Sequence, residues 1–201
     1  QALLNDASPG DFIDIPEGVY YISLTTAVDG TATDPITIRG APGTDRENVV
    51  IKGDDDEARI IDILHSYYVL EDFTVDGEIE EGDEYREQLI FIEGSEDPAD
   101  LDGLQSSLDG TVIRNMELKN AGKECIRLRY FVTNTVITGN DIRNCGVTDF
   151  VVEGSGSNGE GVYIGTAEDQ WSDKNGENVP DVCAGNWVTG NYIETQVTHS
   201  L

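Results

Sequence analysis

The sequence predicts an all-β chain wound as a right-handed parallel β-helix, a solenoid of about five to seven coils. Three observations carry this. A phrase of short strands is stated twice between Lys123 and Thr195, first as Glu124-Cys125-Ile126-Arg127-Leu128 with Thr135–Ile142, then as Glu160-Gly161-Val162-Tyr163-Ile164 with Asn186–Ile193. Taking Val69, Val112, Val136 and Trp187 as equivalent, an aliphatic residue lies six positions further on each time, at Val75, Leu118, Ile142 and Ile193. The strands are four to six residues long and end at Gly, Asn or Asp, with no hairpin turns of the sort that antiparallel sandwiches need. No single phrase can bury an apolar face, whereas stacked copies can.

The opening is the least regular part. Gln1–Asp6 is the one helical scrap, placed to cap the first coil. Ala7–Tyr20 alternates apolar and polar residues between Pro and Gly, reading as a short strand, a turn and a second strand through Tyr20–Leu24, and Pro35–Gly40 and Asn48–Gly53 are strands closed by Gly. We read residues 1–58 as a cap with less regular coils, and 59–201 as regular coils of one domain. First strands are expected at Arg59–Leu64, Gln88–Glu93, Glu124–Leu128 and Glu160–Ile164. Second strands follow at Tyr67–Glu71, Thr111–Arg114, Thr135–Thr138 and Asn186–Thr189, and third strands at Phe73–Asp76, Met116–Lys119, Asn140–Arg143 and Asn191–Glu194. The insertions Gly77–Glu87, Gly94–Gly110, Gly146–Gly159 and Gly165–Gly185 are rich in Gly, Asp, Glu and Ser. Asn120 with Asn144, and Asn140 with Asn191, fall at equivalent turns, where asparagine tolerates left-handed backbone and can bond its stacked copy.

Forty acidic against 12 basic residues give a net charge of −28, which excludes nucleic acid and anionic membranes as partners. No apolar run is long enough for a membrane span. The same field repels polyuronates unless a local basic patch or bound cations intervene. Four of the basic residues fall within Lys119–Arg129.

The segments Pro9-Gly10-Asp11, Ile15-Pro16-Glu17-Gly18-Val19-Tyr20 and Asp34-Pro35-Ile36-Thr37-Ile38-Arg39-Gly40 resemble the pectin-lyase-like superfamily, and in particular the opening of β-helices of the chondroitinase-B and alginate-lyase type. Glu124–Phe131 and Asn158–Thr166 are similar to phrases in secreted β-helix repeat proteins, mostly uncharacterised. The resemblance implies a secreted, extracellular protein meeting polysaccharide. Folds of this kind usually run longer, and the chain stops soon after a third strand, so a further segment or a partner is expected beyond Leu201.

Neither the His-Gly and Arg-x-Lys of the superfamily's glycoside hydrolases nor the Asp-Pro-His of its epimerases is present. A lyase needs a base for the proton α to a uronate carboxylate and a cation to neutralise that carboxylate. Strand alternation puts Asp62, Phe91, Arg127 and Tyr163 in one outward column, with Arg129 at the next turn and Lys119 and Lys123 nearby. Arg127 and Lys123 are the catalytic candidates; Arg127, Arg129, Tyr163, Phe91 and Trp171 are the substrate-binding ones. By the same alternation Glu124 and Glu160 face the interior edge, bonding turn amides or holding a metal. Trp187 aligns with core positions, and Trp171 either stacks on sugar or pins its own loop.

Asp54–Glu57, Glu80–Glu84 and the run through Asp97, Asp100 and Asp102 are solvated loops or calcium ligands, without the spacing of a dedicated calcium loop. Cys125 and Cys145 flank one corner, as a disulfide or as two buried thiols, leaving Cys183 over. Three functions therefore stand: a lyase-type enzyme, a glycan-binding module, and a structural subunit stacking with neighbouring protein subunits into a filament, sheath or wall.

Overall fold

The computed structural model describes residues 1–54, 58–80, 84–94, 108–148, 158–171 and 180–195. The acidic runs at 55–57, 81–83 and 95–107 fall outside them.

Three parallel sheets carry the fold. The first contains Leu24–Thr25, Arg59–Ile63, Gln88–Glu93, Ile126–Arg129 and Val162–Ile164. The second stacks Phe12–Ile15, Ile36–Gly40, Tyr68–Glu71, Val112–Arg114, Val136–Thr138 and Trp187–Thr189. The third stacks Gly18–Tyr20, Val49–Ile51, Thr74–Asp76, Glu117–Ala121, Asp141–Cys145 and Tyr192–Thr195. The chain visits the sheets in rotation, so each strand pairs with its copy one coil away. The strands of the opening third join the same three stacks.

The register follows the repeat. Val69, Val112, Val136 and Trp187 are direct partners, as are Val75, Leu118, Ile142 and Ile193. The core is a column of stacked aliphatics such as Ile51, Val75, Leu118 and Ile142, all fully buried. Ala2–Asn5 forms the expected short helix at the start, with Leu4 in the core. Among the described residues no helix is long and apolar enough to cross a membrane.

Coils close at turns where polar side chains bridge rungs. Asn140 donates to Asn191 at 2.9 Å, and Asn144 to Asn120 at 3.0 Å. Asn120 and Asn144 take positive φ, as the turn requires. Gly77 is tied to close approach: a Cβ there would lie 2.2 Å from the Asn120 carbonyl oxygen.

Cys125 and Cys145 form a disulfide across 20 residues, with Cα atoms 5.4 Å apart. In the loop-closure account this link contributes about 3 kcal/mol. The Cys125→Ala, Cys145→Ala double variant should therefore lose about that much in urea unfolding; an unchanged midpoint would refute the contribution.

Two expectations are corrected here. Trp187 is 68 % exposed and not core, because in the second sheet it is the neighbouring column, Leu70, Ile113 and Ile137, that points inward. Ile164, expected inside, is 37 % exposed, since it lies on the last described strand of the first sheet.

Candidate functional site

The site is a cleft of about 400 Å³ over the first sheet. Its geometry starts from a bend. At the entrance to each first strand, two successive residues turn inward: Ile60 with Ile61, Leu89 with Ile90, and Cys125 with Ile126, all fully buried. In the next copy the first of the pair is Gly161, where a Cβ would lie 2.5 Å from Ile193. Two inward residues in a row break the period of two, so the residue before them faces out. Arg59, Gln88, Glu124 and Glu160 therefore line the cleft, and the expectation that Glu124 and Glu160 face the interior edge is corrected.

The outward column forms as predicted: Asp62, Phe91, Arg127 and Tyr163 are paired in register. A guanidinium covers each ring in it. The Arg59 guanidinium lies 3.5 Å from the Phe91 ring centre, and that of Arg127 lies 3.5 Å from Tyr163. Phe91 is only 2 % exposed and is covered by Arg59, so it serves as a platform for a cation, with no face left for a sugar.

Most basic groups here are engaged. Arg127 Nη1 donates to Glu124 Oε1 at 2.6 Å, and Gln88 donates to the other oxygen at 2.9 Å. Arg59 pairs with Glu93 at 3.0 Å, and Lys123 with Glu87 at 2.9 Å. Lys119 is not part of the cluster; it lies in the third sheet and pairs with Glu117. Arg129 differs. Among the described lysines and arginines it alone has no carboxylate within ion-pair distance. Its Nε and Nη2 are buried without a hydrogen-bond partner. Those two nitrogens form one edge of the guanidinium plane, the edge that takes a carboxylate with two parallel bonds. The Tyr130 ring backs the guanidinium at 4.4 Å.

The short turn Glu168–Gln170 lines the same cleft as Arg129, through Asp169 and Gln170. Trp171 is not among the lining residues; its indole donates to the Thr166 carbonyl at 2.8 Å and pins its own loop. Glu160 accepts from the Gly159 amide at 2.9 Å. Glu124 is committed to Arg127 and Gln88, and among the described residues no three His, Cys, Asp or Glu side chains converge as a metal site.

Arg59 was not singled out from sequence, although the alignment that set Gln88 beneath Glu124 extends one rung further to it. Asp169 and Gln170 sit in an insertion with no repeat to place them.

No family model matches the chain, and no curated protein does. Among solved structures it is similar to an alginate lyase from Paenibacillus sp. strain FPU-7, at 21 % identity and a TM-score of 0.66, over 92 % of this chain and 53 % of that one. Pectin methylesterase PemA from Erwinia chrysanthemi matches 70 % of this chain and 47 % of its own at 14 % identity and a TM-score of 0.38. The chain spans about half the length of the alginate lyase. With three parallel sheets stacked rung on rung, the chain has a parallel β-helix fold.

Proposed function

We propose that this protein is an extracellular polysaccharide-binding β-helix that takes an acidic glycan across its first sheet. The observation that carries this reading is Arg129, an unpaired guanidinium edge in a cleft of a protein with net charge −28. Buried N–H donors without an acceptor are costly to keep unless a ligand anion meets them. The fold likeness to a protein named as an alginate lyase agrees with a glycan ligand.

Binding is better supported than cleavage. Elimination needs a free base beside the sugar, and the two candidates, Lys123 and Arg127, are held by Glu87 and Glu124. Calorimetric titration with alginate, pectate and chondroitin oligosaccharides tests the reading. Saturable binding should appear with at least one, and Arg129→Gln should weaken it about tenfold or more, the worth of one charge-assisted contact. No binding to any of them would overturn it. Formation of an unsaturated product, abolished by Lys123→Ala, would extend the role to a lyase.

A stacking subunit is the second reading. Light scattering that rises with concentration would support it, and a persistent monomer would exclude it.

A further inference from the structure

We infer that Asp181 is the positioning residue of the cleft, one carboxylate that fixes both the turn after Arg129 and a loop that lines the cleft with it. The inference rests on the glycan-binding reading for its consequence, but not for its geometry.

The strand that carries Arg129 ends in an unusual turn. Tyr130 and Phe131 both adopt left-handed backbone, at φ 63° and 60°. Two bulky residues in succession rarely do so, and each costs about 1–3 kcal/mol unless the surroundings hold it there. Such a pair aims its consecutive N–H groups at one point, a concavity suited to an anion. Asp181 fills it: Oδ2 accepts from the Tyr130 amide at 2.9 Å and Oδ1 from the Phe131 amide at 2.8 Å. By holding Tyr130 in this conformation, Asp181 places the buried ring that backs the Arg129 guanidinium.

The same carboxylate reaches a second segment of the cleft lining. Thr166 donates its hydroxyl to Asp181 Oδ2 at 2.7 Å, and the Thr166 carbonyl in turn receives the Trp171 indole. Between these two anchors runs Glu168–Gln170, the turn whose Asp169 and Gln170 line the cleft with Arg129. The Cys183 thiol donates to Oδ1 at 3.2 Å and completes the set of donors. Burial, with Asp181 beside it, pushes that thiol up to about 12, so it stays a donor through the neutral range.

The test compares wild type with R129Q, D181N and the double variant by calorimetry and by NMR. The probes are an alginate oligosaccharide and its carboxyl-reduced, neutral counterpart. Asn at 181 offers one acceptor and turns an amine toward a backbone N–H, so it breaks the two-amide grip. D181N should lower affinity for the acidic probe about tenfold, as R129Q does, and the double variant should lose no more than either single one. The neutral probe should bind R129Q like wild type and should lose at most about threefold in D181N and the double variant, through the loop that Thr166 holds. The Arg129 Nε–H cross-peak should exchange slowly in wild type, where the nitrogen is buried, and should lose that protection in D181N. Unchanged protection and acid preference in D181N would overturn the inference, as would equal loss of both probes. If D181N does not fold, T166V keeps both amides occupied; it should retain Arg129 protection while weakening both probes about threefold, and unchanged affinity would break the link to the second segment. If wild type binds neither probe, the glycan reading fails, and the cross-peak alone decides whether Asp181 positions Arg129.

Discussion

Glu124→Ala should destabilise the protein by about 3–5 kcal/mol, the usual cost of stripping one partner from a buried ion pair. Both partners are nearly inaccessible, with side chains 2 % exposed for Glu124 and 7 % for Arg127. Losing the carboxylate leaves a buried guanidinium whose Nε already lacks a partner, and frees the Gln88 amide as well. Removing both charges tells the pair's net worth from the cost of orphaning Arg127. In Glu124→Ala, Arg127→Ala the loss should fall well short of the sum of the single losses, because desolvation of the cation no longer counts. Urea unfolding of the four proteins measures this; strict additivity would show that the pair is solvated and that the first sheet has no buried charge.

Asn140→Ala should cost about 3–4 kcal/mol through a different device. The side chain is 3 % exposed and accepts from the Met116 amide at 2.9 Å. It donates to the Ile113 carbonyl at 3.0 Å and to Asn191 at 2.9 Å. Truncation strands groups on two neighbouring coils at once, each worth about 1–3 kcal/mol when left buried and unpaired. Asn191→Ala, whose residue closes only one side of the ladder, should cost less. Equal effects, or a loss under about 1 kcal/mol at Asn140, would contradict a ladder that ties the coils together.

How far the sequence spoke depended on whether a feature repeats. The six-residue offset from Val69 to Val75, kept through Trp187 to Ile193, placed the second and third sheets in register, and simple alternation set Phe91, Arg127 and Tyr163 in one column. Alternation failed where the chain bends. At the entrance to the first strands Cys125 and Ile126 both turn inward, so counting by two sent Glu124 to the wrong side, and a shift of one column put Trp187 inside. Pairings between coils carry no local signature: nothing near Lys123 announces Glu87, and Asp181 lies 51 residues from Tyr130. The basic cluster read along the chain therefore became one free guanidinium once its neighbours found their carboxylates.

The account's central claim is that the first sheet is the ligand-binding face. Chemical-shift mapping during titration with a uronate oligosaccharide tests it most directly. The account predicts shifts concentrated at Gln88–Glu93, Ile126–Arg129, Val162–Ile164 and the Glu168–Gln170 turn, and their loss in Arg129→Gln. Shifts confined to the second or third sheet, or saturable binding that survives Arg129→Gln unchanged, would contradict it.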